Sequence, residues 1–513
     1  MNLDTSHDTD VADLAAHGYR QRLHRGLGSF SSFAAGFSYI SILTGMFQLF
    51  GFGYGFGGPL MFWTWILVLA GQFAVALVFA ELSARYPIAG SVYQWSKKVA
   101  SKPVSWMAGW TMMVGSIVTV AAVAIAWQIV LPPVWSGFQV FSSNAQNAVF
   151  WGCILIVIVT VINILGVGWM SKINNVGVAA ELIGVAVIII LLFTHNKRSP
   201  GVVLTTQGIG ASAPGFHTLG WLAPFLLAAV MAAYVMFGFD TAGSLSEETR
   251  NPRRTTPMAI LRALGAAGVA GLILLLAALM AAGSLKPDDL AAGGLPYVLQ
   301  SALGDTLGKI LLVDVAIAIF VCCLAIQTAA IRLAFSMARD HALPFGESLA
   351  RVSEQRKAPA APAIISGLIA IAILVVDIGN AQIFLTVTSV AIVIVYLAYL
   401  MVTLPVLGNR LRGWPKSADT ASGLTGIFTM PRWAGIAVNV FAAAYGLLMG
   451  ANLIWPRAAV YGPGMYEWGA VITVAVVTAI GLAYYFTAQH KKEASIAAGH
   501  AAAEAPALAS TTD

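Results

Sequence analysis

Two carboxylic acids stand inside long apolar runs of this 513-residue chain. Asp240 lies within WLAPFLLAAVMAAYVMFGFDTAGS, residues 221–244, and Glu181 within VAAELIGVAVIII, residues 178–190. A charge at the centre of a bilayer costs about 2.5–3.5 kcal/mol on insertion scales, so each acid is a functional candidate by default. The other ionisable residues of such runs fall near their ends. Arg332 and Arg339 are placed to snorkel to water, Glu81 sits where the second run meets the cytoplasm, and Asp314 and Asp377 lie near outer ends.

Asp240 is flanked by Gly238 and Gly243. Glycine in a helix interior costs about 1 kcal/mol relative to alanine, so the pair eases opening of the helix. Opened backbone exposes N–H and C=O groups, which is tolerable at membrane depth only where they line a cavity. The first run has a similar device: in GFSYISILTG, residues 36–45, Gly36 and Gly45 bracket Ser38, Ser41 and Thr44. Two interrupted runs, five spans apart, point to a secondary transporter built from inverted repeats. There two broken helices meet near the midplane, their half-helix N-termini attract an anion, and freed carbonyls bind a cation. Structural readings stand beside this one. Glycines in membrane helices also serve close packing. Asp240 could pair with Tyr234 or Gln327, Phe237 and Phe239 could simply pack, and Glu181 could be a structural hydrogen-bonder.

These residues need a frame of membrane helices, and the composition supplies it. Hydrophobic residues make up 58% of the chain and charged ones 10%, against roughly 25% charged in soluble domains. Mean hydropathy is +0.81. Twelve apolar runs recur, near 27–52, 60–82, 104–131, 148–169, 175–194, 219–246, 257–283, 309–337, 361–377, 381–407, 432–455 and 466–487. Crossing about 30 Å of hydrocarbon takes about 20 residues. With both termini on one side, 23 of the 28 Lys and Arg fall on that side. Only Lys197, Arg198, Lys286, Lys309 and Arg457 fall on the other. Under the positive-inside rule this puts the N- and C-termini of a multi-pass protein in the cytoplasm; the plasma (inner) membrane is the expected location. The segments 1–24 and 491–513 are expected to be mobile tails. Asp4, Asp8, Asp10 and Asp13 argue against a cleaved signal peptide.

Several function classes are excluded. The net charge of +6 is a topology signal, because no basic stripe interleaved with aromatics marks a nucleic-acid surface. GDTLGKI, residues 304–310, has the wrong spacing for a phosphate-binding loop and lacks its hydroxyl residue. Cys153, Cys322 and Cys323 lie in apolar runs and read as small core hydrophobes, not as a disulfide or metal set. The histidines are scattered in loops and tails. No cofactor and no enzyme activity are expected.

Three motifs carry a resemblance. FGFDTAGSLSEETRNPRRTTPMAI, residues 237–260, resembles the sixth helix and following loop of the amino acid–polyamine–organocation (APC) superfamily of permeases. ELSARYPIAGSVYQW, residues 81–95, resembles that superfamily's loop after helix two, and RLAFSMARDHALP, residues 332–344, its pattern ending helix eight. In this order on the twelve-run profile they extend the resemblance over about 25–490, and they lean toward the amino acid, GABA, choline and ethanolamine permease branch. The resemblance implies an all-α polytopic fold of twelve transmembrane helices, five plus five in inverted repeat, with helices 1 and 6 broken. The repeats would span 25–194 and 195–407, with peripheral helices over 408–490. Substrate would lie on Ser38, Ser41, Thr44 and Gly45 of helix one and on Phe237, Gly238, Phe239, Asp240 and Thr241 of helix six. Phe237 resembles the residue that closes over substrate. Many relatives carry a lysine in helix five; the matching position here is Glu181. A carboxylate cannot imitate that cation. It could carry a proton, or hold a cation against polar groups of spans one and eight such as Thr328. Glu181 and Asp240 are therefore the proton-coupling candidates.

A zwitterion fits a broken-helix pair, its carboxylate at the dipole ends and its ammonium on carbonyls and Asp240. The expected partners are thus an amino acid or GABA-like compound, a proton and the lipid bilayer; the oligomeric state is not written in the sequence. An amine or quaternary ammonium is the alternative, held by cation–π contacts to Phe37, Tyr39, Tyr234, Phe237 and Phe239. A transport-dead nutrient receptor would keep the same pocket.

Overall fold

The computed structural model describes residues 10, 13–15, 17–21, 23–206, 209, 214–353, 358–376, 378, 383–415 and 426–492. Backbone in hydrocarbon must satisfy itself, so single apolar runs can cross only as helices. Helices occupy all twelve of the apolar runs, and among the described residues there is no β-strand. An isolated bridge pairs Leu27 with Thr249. Asp377 and the segment from 493 onward lie outside the described residues.

The first span is α1 (Ser29–Ile40) plus α2 (Ile42–Gly57), and the second is α3 (Met61–Arg85), followed by a short α4 (Ser91–Val99). Spans three to five are α5 (Lys102–Ala124) with α6 (Trp127–Val134), α7 (Asn144–Leu165) and α8 (Val167–Thr194). Span six is α9 (Leu222–Val235) plus the four-residue α10 (Thr241–Ser244), and span seven is α11 (Pro252–Ala281). After α12 (Pro287–Leu303) come α13 (Asp305–Arg339), α14 (Ala360–Val376), α15 (Ile383–Leu411), α16 (Arg432–Ile454) and α17 (Gly469–Tyr484). The stretch Ser29–Arg85 holds α1, α2 and α3 in 57 residues, about 85 Å if it ran straight at 1.5 Å per residue, too long for one crossing. It turns at Gly58, where a φ of +51° suits glycine.

Lipid tails give no hydrophobic drive between helices, so small residues and interhelical hydrogen bonds hold such bundles. The contact between α3 and α11 shows both. The Trp65 indole crosses over Gly271, and its N–H donates to Gly268 O at 2.8 Å. α1 also packs on α11, α2 on α9, and α5 on α15. α17 buries only Ala470 and Gly481 and lies at the rim.

Three placements differ from the sequence expectation. α8 begins at Val167 and not near 175, so Glu181 lies at mid-helix. Arg332 and Arg339 do not snorkel. Arg332 Nε donates to Glu248 Oε1 at 2.8 Å, and Arg339 reaches both oxygens of Glu247 at 3.0 and 2.9 Å. The acids of the SEET loop fold under the helices and capture the arginines. The described part of the N-terminal segment is docked: Asp10 pairs with Arg25 at 3.2 Å and Asp13 with Arg253 at 2.5 Å. Acidic tail and basic loop are complementary.

Candidate substrate and coupling site

Both expected interruptions are present. α1 ends where Ser41 takes φ 37° and ψ 98°, and α2 restarts at Ile42. α9 ends at Val235, and five residues, Met236 to Asp240, separate it from α10. Gly238 has φ +88°, and the Tyr39 ring fills the space a Cβ would take. Only glycine meets both conditions, so the break in span six lies directly on span one.

α8 passes the first break and delivers Glu181 to it. The side chain is 1% exposed. Its Oε1 accepts from Ser41 Oγ at 2.8 Å and from the Leu43 N–H at 3.2 Å. Ser41 Oγ also accepts from the Thr44 N–H at 3.3 Å and lies 2.6 Å from Thr44 Oγ1. The first N–H groups of a helix lack intrahelical partners and carry about half a positive charge together, so a carboxylate is favoured there. The other oxygen, Oε2, is buried with no hydrogen-bond partner. Ser38 Oγ donates to Val321 O of α13 at 3.4 Å. Thr328 does not face Glu181; its hydroxyl donates to Asn163 Oδ1 at 2.7 Å.

On the other side of span one, Tyr39 and Tyr234 each meet Phe237 edge-on at 5.8 Å between ring centroids. Tyr234 Oη donates to Gln48 Oε1 at 3.1 Å. Phe239 turns away from this trio and packs on Phe79 and Tyr399, at 6.0 and 5.5 Å.

Asp240 is equally buried but committed. Its Oδ1 accepts from Tyr399 Oη at 2.5 Å and its Oδ2 from Ser91 Oγ at 2.8 Å. Tyr399 Oη in turn accepts the Gly238 N–H at 2.9 Å, and Ser244 Oγ donates to Ser91 Oγ at 2.9 Å. The carboxylate therefore ties the break to α15 and α4. Neither Tyr234 nor Gln327 is its partner: Gln327 donates to Thr160 Oγ1 at 2.6 Å.

The candidates thus divide. Ser38, Ser41 and Thr44 face spans five and eight with Glu181, while Phe237 and Gly238 face Tyr39. Asp240 and Phe239 join a separate cluster with Tyr399. Gly45 is a packing position, where a Cβ would press on Val235 of α9. Thr241 Oγ1 is buried without a partner. Tyr399 and Ser91 were missed in the sequence reading. Ser91 stands in the AGSVYQW motif, and Tyr399 gives only the weak signal of a hydroxyl deep in an apolar run. Ser38, Ser41, Thr44, Glu181, Phe237, Phe239, Asp240 and Thr241 are all buried.

A sequence profile described as amino acid permease matches residues 27–488. The chain belongs to the amino acid permease family. Relatives include the amino-acid permease BAT1 homolog of Oryza sativa subsp. japonica, 28% identical, with 78% of this chain and 80% of that protein covered. Amino-acid permease BAT1 of Arabidopsis thaliana is 27% identical over 76% of this chain and 80% of that one. The methylthioribose transporter of Bacillus subtilis is 28% identical, covering 74% and 83%. Among solved structures, MhsT in complex with L-phenylalanine superposes with a TM-score of 0.60 at 16% identity, covering 83% of this chain and 98% of that one. This permease of the APC superfamily is thus an all-α, multi-pass membrane transporter and not an enzyme.

Proposed function

We propose that this permease imports a small amino acid, or a related zwitterion such as 4-aminobutyrate, by proton symport with alternating access. It would do so in the plasma membrane, with both termini in the cytoplasm. The observation that carries the reading is Glu181 Oε1 seated on the N-terminus of α2. The carboxylate of a zwitterion seeks the same positive helix end. Two anions at one half-helix end repel each other, and a proton on Glu181 removes its charge and frees the end for substrate. Unpartnered Oε2 is the atom on which that proton lands. Proton and substrate then bind together and leave together. With Asp240 committed to Tyr399 and Ser91, the ammonium falls to freed carbonyls and the Tyr39, Tyr234 and Phe237 rings. The amino acid permeases among the relatives support the substrate class. The paired breaks support 25–194 and 195–407 as inverted repeats, with 408–490 peripheral.

The same aromatic trio favours a second reading, an amine without a carboxylate. One experiment separates them. Purified protein in proteoliposomes with an alkaline interior is given a radiolabelled mixture of the protein amino acids, labelled 4-aminobutyrate, or labelled choline and ethanolamine. Accumulation of a zwitterion, abolished by a protonophore and indifferent to sodium, is the expected outcome. A sodium requirement at constant pH overturns the coupling, and uptake of the carboxylate-free amines alone overturns the substrate class.

A further inference from the structure

A second acid lies against α8 and takes no part in the contacts described so far. Asp314, on α13, has a buried Oδ2 with no hydrogen-bond partner, as Glu181 has its Oε2. It fits because residue 184 is glycine: the Asp314 carboxyl occupies the place a Cβ of Gly184 would take. Gly184 is three residues beyond Glu181, about 4.5 Å along the axis and on the same face of α8. Asp314 is near enough to act electrostatically on Glu181. In the orientation given by the basic residues, the step from Glu181 to Asp314 leads outward. Asp314 is partly exposed while Glu181 is enclosed. Among the described residues neither acid has an ion-pair partner. The titratable groups facing Glu181 are Asp314 and Cys322, both on α13, while α1 and α2 offer only the Ser41 and Thr44 hydroxyls and backbone N–H groups. α7, α11 and α12, which also pack on α8, place no side chain in a hydrogen bond or ion pair with either acid among the described residues.

A carboxyl oxygen buried at membrane depth with no donor is costly. We infer that Asp314 is the outer proton station of this permease, taking a proton from the external medium and passing it to Glu181. The carboxylate of Asp314 gains the proton; the acid then loses it to the carboxylate of Glu181 and returns to its charged form, so charge and protons balance at each step. The inference rests on the proton-symport reading above and adds the route.

The test uses full-length protein in proteoliposomes and two assays on the same preparation, with the radiolabelled amino acid mixture and labelled 4-aminobutyrate as probes. One assay is uptake driven by an inside-alkaline pH gradient. The other is counterflow with no gradient, which needs substrate binding and access but no net proton movement. Asp314→Asn is expected to lower the gradient-driven rate by at least about tenfold, the effect of about 1.4 kcal/mol on a barrier, while counterflow stays within about twofold. Asp314→Glu, which restores a titratable group, is expected to recover part of the driven rate. Gly184→Ala, which displaces the carboxyl without removing it, should reproduce the selective loss and decides the matter if Asp314→Asn does not fold. Unchanged driven uptake in Asp314→Asn and Gly184→Ala overturns the inference and leaves the symport reading standing. Equal loss of both assays, with no recovery in Asp314→Glu, assigns Asp314 a structural role and also overturns it. Failure of wild-type protein to accumulate any probe on a pH gradient removes the symport reading, and the inference with it.

Discussion

Glu181→Gln isolates the proton from the geometry. The amide oxygen of glutamine can accept both bonds that Oε1 now accepts, from Ser41 Oγ at 2.8 Å and the Leu43 N–H at 3.2 Å. What it cannot do is carry charge or titrate. A carboxylate at a helix N-terminus is worth about 0.3–1 kcal/mol when exposed and up to ~2 kcal/mol in partly buried geometry. That bounds the change in competition with substrate at about 2- to 30-fold, at 1.4 kcal/mol per factor of ten. The variant therefore mimics protonated Glu181 permanently. Its substrate affinity should match the acid limit of the wild type, within about 30-fold of the neutral value, and should lose its pH dependence. Counterflow should persist, while accumulation on a pH gradient disappears. Calorimetric titration across pH and the paired proteoliposome assays read both. Retained gradient-driven accumulation refutes the assignment of the proton to Glu181. A collapse of binding as large as the loss of accumulation makes Glu181 a folding or contact residue instead.

Tyr399→Phe removes the donor to Asp240 Oδ1 and the acceptor of the Gly238 N–H. Each buried group left unsatisfied costs about 1–3 kcal/mol, so the melting temperature should fall further than in Tyr396→Phe, whose hydroxyl meets Tyr445 at 2.8 Å outside the breaks. Equal shifts would remove the special role of Tyr399. Glu247→Gln leaves Arg339 without its counter-charge, and breaking a buried pair from one side costs about 3–5 kcal/mol. Thiol labelling of Thr241→Cys from the cytoplasmic side should then accelerate; unchanged labelling means that this pair does not hold the inner side closed. His17 has its pKa lowered from 6.5 by burial and by the positive charges of Lys98 and Arg253. The undocked segment therefore binds more protons, and docking weakens as pH falls through about 6.5. Hydrogen exchange of residues 13–15 and 17–20 should rise on acidification in wild type and lose that response in His17→Ala.

The helix breaks were legible because their cause is local. Glycine beside a polar residue in an apolar run is a one-dimensional signal, and Gly238 carries it for two reasons at once, its φ and the ring of Tyr39. Glu181 was legible for the same reason: a charge at membrane depth stands out against its own neighbours in sequence. What the sequence could not carry was partnership across the bundle. Asp240 and Glu181 look alike as isolated acids, yet one oxygen pair is fully bonded and the other half free, and the difference lies in Tyr399 and Ser91, which are 159 and 149 residues away from Asp240 in the chain. In the sequence Arg332 and Arg339 look free to snorkel for the same want of a visible partner. Their position near a span end was correct, but the acids that hold them arrive from the loop after span six. Asp314 shows the limit most clearly. By position it was an acid near an outer end, and it becomes a candidate only when Gly184, 130 residues before it in the numbering, is seen to leave room for its carboxyl one turn from Glu181. Type and depth select which acids matter; the partner or the lack of one decides whether an acid holds the fold or is free to move a proton.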